Sequence, residues 1–110
     1  MSQQISFQVR DIKGDIRLVF HHPIELRFHI RDNEEVVCEV PYLRLEVGGD
    51  SLEEAMDKTV RTIRAMTKMF INAHVARLSE KEKVQKGLFL EIVDIAATFD
   101  FLGDLPDNFN

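Results

Sequence analysis

The apolar residues of this chain change their spacing at Gly48 and Gly49. Before that pair they recur at every second position; after it they recur with the period of a helix. Leu43, Leu45 and Val47 alternate with Tyr42, Arg44 and Glu46, which suits a half-buried strand. Ser51 and Glu54 have the spacing of a capping box that opens a helix, with Asp50 as the adjacent alternative cap,. The two glycines between strand and cap read as the backbone freedom a tight turn requires. Sheet-forming sequence hands over to helix-forming sequence at one point, so the expected class is α+β.

Four more alternating runs precede this junction. Ile5, Phe7 and Val9 alternate with Ser6, Gln8 and Arg10, and residues 11–15 around Lys13 and Gly14 read as a hairpin turn,. Ile16, Leu18 and Phe20 then alternate with Arg17 and Val19. His21, His22 and Pro23 interrupt, because proline donates no ladder hydrogen bond and pushes its predecessor to extended geometry. The clearest run sets Ile24, Leu26, Phe28 and Ile30 against Glu25, Arg27, His29 and Arg31. After a turn at Asp32, Asn33 and Glu34, Val36, Cys38 and Val40 alternate with Val37 and Glu39, and Pro41 marks an edge or a bend. The expectation is an antiparallel sheet of about five strands with one face packed. Its outer face carries Arg17, Glu25, Arg27, Glu39, Arg44 and Glu46. Cross-strand ion pairs there contribute only about 0–1 kcal/mol each, so their main effect is on register.

Leu52, Met56, Val60, Ile63, Met66, Phe70, His74 and Leu78 recur at helical spacing, with no Gly or Pro from 51 to 78,. Glu53 and Glu54 suit the positive end of the helix dipole. One helix over about residues 51–78 is expected. Ser79 and Glu82 form a second capping box, and Val84, Leu88, Ile92, Ile95, Phe99 and Leu102 keep the spacing until Gly103 and Pro106. That pattern predicts a second helix over about 80–102. Residues 88–95 also fit a strand after Gly87; the stripe and both boundary signals favour helix. Two helices thus cover one face of the sheet. Residues 1–103 form a single domain and 104–110 a polar C-terminal tail.

A chain of 110 residues buries roughly two-thirds of its unfolded surface, enough for one core,. The single cysteine, Cys38, excludes an intramolecular disulfide framework and fits a reducing compartment,. The first seven residues have neither the basic start nor the apolar run of a signal peptide,. No apolar stretch approaches the ~18 residues of a membrane span, so a cytoplasmic location without membrane attachment is expected. The net charge of −5 argues against a nucleic-acid partner held by a positive field, and is compatible with a basic protein partner,.

From Ile24 to about Phe70 the order is strand, turn, strand, strand and helix, entered through Gly49, Asp50, Ser51, Leu52, Glu53, Glu54 and Ala55. This helix entry resembles that of HicB-type antitoxins, a family with a small β-β-β-α unit often described as a partial RNase H-like fold. Two departures stand out. The family's Pro-x-Leu-Pro-Gly segment is replaced by Val40, Pro41, Tyr42, Leu43 and Arg44, and residues 79–110 hold no basic recognition helix. The resemblance implies a toxin-binding or related interaction module without direct DNA binding.

The catalytic and metal alternatives have less behind them. His21, His22, His29 and His74 lack the paired spacing of a zinc site, adjacent strand residues point to opposite faces, and His74 falls on the helix stripe as a buried residue,. Cys38 is in phase with Val36 and Val40, which marks a core residue and not a nucleophile,. Glu91, Asp94, Asp100 and Asp104 have no partner base that marks acid–base chemistry. Met56, Met66 and Met69 suit a core or an oligomer interface. No catalytic, cofactor-binding or metal-ligating residue is assigned, and no cofactor is expected.

The leading reading is a non-enzymatic protein-interaction module, antitoxin-like, that covers a small basic RNase partner and forms a homo-oligomer, a dimer being favoured. The alternative is an accessory or structural subunit that oligomerises or docks on a larger complex through helix 80–102; a small hydrolase comes third. The candidate interaction surface comprises Arg17, Arg27, Tyr42, Arg44, Glu46, Glu91 and Asp94.

Overall fold

The computed structural model describes residues 3–13 and 17–99. Its architecture is α+β: four antiparallel strands in the order β1-β2-β3-β4, followed by three helices. The strands are β1 (Gln3–Ile12), β2 (Leu18–Ile30), β3 (Val36–Val40) and β4 (Leu45–Gly49). The helices are α1 (Leu52–Asn72), α2 (Glu80–Ile92) and the single turn α3 (Ile95–Thr98).

The expected count of about five strands is corrected to four, because the runs on either side of Pro23 belong to one strand. Val9 pairs with Ile24 and Asp11 with Val19, so Arg10 alone faces residues 20–23 of β2. The His21-His22-Pro23 segment therefore lies in a special bulge, with more than two residues against one, a place where a sheet tolerates proline,. The bulge preserves the phase of the side chains. Leu18, Phe20, Ile24, Leu26 and Phe28 are all fully buried on the helix side. Ile16, which the sequence places at the start of this run, lies outside the described residues.

Pro41 does bend the chain. It opens a 3-10 turn, Pro41–Leu43, that closes at Arg44 in the left-handed region with φ of 54°. The strand expected from Tyr42 therefore begins only at Leu45.

The core lies between the inner side of the sheet and α1, whose Ala55, Thr59, Val60, Ile63, Thr67 and Phe70 are buried. The two buried threonines donate to the carbonyls four residues back, Thr59 to Ala55 and Thr67 to Ile63, each at 2.7 Å. This removes the cost of burying their hydroxyls. Met56 and Met66 pack partly buried against this core, while Met69 is exposed.

At the start of α1 the capping differs in detail from the simple box. The Ser51 Oγ accepts the Glu54 N–H at 3.1 Å, but the Glu54 carboxylate accepts from the Asp50 N–H at 3.3 Å. Ser79 and Glu82 make the full reciprocal box at the start of α2.

Both helix ends expected from the sequence are corrected. Helix α1 stops at Asn72, and Ala73 is extended, followed by a 3-10 turn at Val75–Arg77. His74, expected on the buried stripe, is exposed. The early stop lets the chain reverse so that Phe70 and Phe89 meet edge to face, with ring centroids 5.3 Å apart. The Lys86 ammonium donates to the Ala73 carbonyl at 3.2 Å, placing a cation at the helix's negative end,.

Helix α2 stops at Ile92, because Val93 bridges Phe20 of β2 and the Asp94 N–H donates to the Val19 carbonyl at 2.8 Å. Residues 88–92 are thus helical and Val93 is sheet-like. Helix α3 follows, capped by Asp94, whose side chain accepts from the Ala97 N–H at 3.1 Å. The second helix expected over 80–102 is therefore two short ones within the described residues. Residues 100–110, including the tail 104–110, lie outside them.

Val19 also anchors α3 through Thr98, which is 3% exposed. The Val19 N–H donates to Thr98 Oγ1 at 2.9 Å, and that hydroxyl lies 3.2 Å from the Val19 carbonyl oxygen, which accepts from it. Thr98→Val keeps the shape and removes both bonds. It is expected to cost about 1–2 kcal/mol, read as a lower urea midpoint at unchanged slope.

Candidate interaction surface

Because α1 covers one side of the sheet, the odd-numbered side chains of the central strands β2 and β3 lie on the other side, which no described helix covers. Across this side Ser6, Arg27, Glu39 and Glu46 form one row in register, from β1 to β4. Arg27 lies at its centre. Its guanidinium donates to Glu39 at 2.8 Å and to Glu25 at 3.0 Å, and the Ser6 hydroxyl donates to the same Glu25 carboxylate. His29 stands 4.0 Å from the second Glu39 oxygen. Glu39 and Glu46 face each other on neighbouring strands, a like-charge pair that Arg27 offsets from the β2 side.

The Ser6 hydroxyl, and next the Arg27 guanidinium, hold the Glu25 carboxyl below the usual carboxylate range. Glu25 in turn raises the Arg27 guanidinium. A carboxylate depressed in the folded state contributes stability that is present above its unfolded pKa and is lost as pH falls through its folded pKa. Carboxyl titration by NMR is therefore expected to place Glu25 below a glutamate in an unstructured peptide. Ser6→Ala is expected to move it upward, because the larger of the two causes is removed. A Glu25 that titrates identically in both proteins contradicts this arrangement.

Beside the row, Glu39, Val40, Pro41, Arg44, Leu45 and Glu46 line an open cleft of about 210 Å³ at the β3–β4 corner. The left-handed Arg44 belongs to this corner, a correction to its expected place on a strand. Tyr42 is 54% exposed in the same 3-10 turn and meets the bulge residue His22 edge to face at 5.9 Å.

Arg44 and Glu46 thus line one corner, which Arg27 adjoins through Glu39, with Tyr42 on the adjoining turn. It does not bring in the other three residues of the candidate surface. Arg17 is exposed just before β2, and Glu91 is exposed on α2. Asp94 caps α3 beside Val19, eight residues from Arg27 along β2, roughly 25 Å in an extended strand,. Its carboxylate is 3.9 Å from His21 Nδ1, beyond hydrogen-bonding distance,. Ser6, Glu25 and Glu39 were absent from the candidate surface although they order its central arginine. Their alternation with apolar neighbours was the available signal.

The described residues contain no group of three or more His, Cys, Asp and Glu side chains that could hold a metal ion. Cys38 is buried, and burial raises its thiol pKa, the reverse of what a nucleophile needs,. Among the described residues no helix is long and apolar enough to cross a membrane. Compared with protein-family models, curated proteins and solved structures, the chain matches none. The geometry alone carries a functional reading.

Proposed function

We propose that the chain is a non-enzymatic protein-interaction module whose working surface is the side of the sheet around Arg27 that no described helix covers. One observation carries this reading: the Ser6, Glu25, Arg27 and Glu39 side chains are already held in one hydrogen-bonded network on a face that no described helix covers. Side chains ordered before binding lose less entropy when a partner arrives, so such a face is suited to recognition. The excess of carboxylates in the chain, net charge −5, fits a basic partner,. The HicB-like reading supplies a specific candidate, a small basic RNase that this antitoxin-like chain covers. In this reading the protein works in the cytoplasm, where Cys38 stays reduced.

The alternative in which α2 docks on a larger complex has less support. Phe89 and Ile92 of that helix are already buried against the domain's own core, and Leu88 packs partly buried against it. The discriminating experiment is co-expression with any small basic protein encoded beside this one. A complex of fixed ratio, and relief of that protein's toxicity, is the expected result. Separate elution of the two proteins with undiminished toxicity contradicts the antitoxin reading.

A further inference from the structure

The two edges of the sheet are built differently. Strand β4 is five residues long, ends in two glycines and lies beside α1. Strand β1 is ten residues long, and no described strand pairs with its outer side. From Gln3 to Val9 it contains neither a charged residue nor a proline. Those are two of the devices by which natural edge strands resist pairing with another chain.

The side chains of β1 add a second observation. Ile5, Phe7 and Val9 share the core side of the sheet with their partners Phe28, Leu26 and Ile24, which are fully buried. Helix α1 packs chiefly over β3 and β4 and leaves the β1 end of this side open. Phe7 remains 42% exposed, its ring edge to face with Phe28 at 5.8 Å. An edge that no described strand pairs and a half-covered apolar stripe therefore coincide on one strand.

We propose that β1 pairs antiparallel with β1 of a second copy, in a register centred on Phe7, so that the two four-stranded sheets become one. The strand is complementary to itself in this register alone. Ile5 faces Val9, Ser6 faces Gln8 and Gln4 faces Arg10, so apolar meets apolar and no like charges oppose,. A slip of one residue sets the apolar side of one copy against the polar side of the other. Centring on Gln8 carries Ile5 past the register shift after Val9, with no apolar partner, and centring on Ser6 places Val9 opposite Gln3. A two-fold axis through the Phe7 pair makes the contact isologous, the commonest geometry of a dimer.

Light scattering on the full chain across a dilution series tests this. The expected mass is twice the 12.7 kDa of the chain. Phe7→Lys changes a partly exposed residue and is expected to leave the circular dichroism intact while raising the dimer dissociation constant about a hundredfold. A second variant tests the register. Facing positions on antiparallel strands bring Cα atoms to about 4.5–5.5 Å, so Phe7→Cys is expected to cross-link two chains under mild oxidation. Cys38 is fully buried and takes no part. Glu46→Cys, on the opposite edge, is expected to stay uncross-linked. A monomeric wild type, a dimer indifferent to Phe7→Lys, or preferential cross-linking through Glu46→Cys overturns the proposal. Because no other protein is involved, its failure leaves the partner-binding reading untouched.

Discussion

Phe70→Ala is expected to lower the unfolding free energy by about 3–5 kcal/mol, a large share of the roughly 5–15 kcal/mol available to a small domain. Phe70 is 1% exposed, and its ring meets Phe89 of α2 at 64°. Removing it opens a cavity at the only aromatic pair between α1 and α2 among the described residues, and forfeits the edge-to-face term as well. The adjacent Met69 is 48% exposed, so Met69→Ala is expected to stay within about 0.5 kcal/mol,. Urea unfolding of the two variants side by side measures the difference. Equal losses contradict the placement of the core.

Gly49→Ala is the second large effect. A Cβ at Gly49 lies 2.7 Å from the Ala55 nitrogen and 3.0 Å from its Cα, so the atoms it meets are backbone of the first turn of α1. They cannot swing aside as a side chain does, and the cost is expected at the upper end of overpacking, about 3 kcal/mol. At Gly48 the nearest atom is 3.7 Å away, on the Glu35 side chain, so Gly48→Ala is expected within about 0.5 kcal/mol of wild type,. Thermal unfolding of both proteins checks the contrast, since 3 kcal/mol corresponds to a melting-temperature drop of about 10–20 °C.

That contrast shows where reading the sequence succeeds and where it stops. The glycine pair does mark the passage from sheet to helix, but neither glycine has positive φ. Gly49 is required because the helix passes too close for a side chain. Such proximity is a property of packing and leaves no trace in the local pattern. Among the described residues the left-handed positions are Glu34, in the turn between β2 and β3, and Arg44, in a turn that Pro41 alone suggested.

Strand phase was readable because alternation survives the bulge: Phe20 and Ile24 are buried on either side of Pro23. The join across that proline was not, since it depends on β1 holding both halves. Helix ends were the least readable feature. No Gly or Pro stops α1 at Asn72 or α2 at Ile92; the Phe70–Phe89 contact and the bonds of Val93 and Asp94 to β2 do.

The candidate surface divides along the same line. Arg27 and Glu46 followed from period two and lie in one row. Glu91 and Asp94 were chosen from a helix face, and the break at Val93 puts Asp94 to work as a cap. The His22–Tyr42 contact depends on the bulge, which alternation alone does not reveal.

We propose that the side of the sheet around Arg27, which no described helix covers, receives a basic protein. Titration calorimetry of the purified partner against wild type and Glu39→Lys tests it most directly. Glu39 is partly exposed beside Arg27 in the row, so the reversal gives up an exposed ion pair and sets like charges opposite, a cost of about 1–2 kcal/mol, and inverts the charge the partner meets,. The account predicts binding weakened about ten- to a hundredfold, with the fold unchanged by circular dichroism. An affinity equal to that of wild type contradicts it.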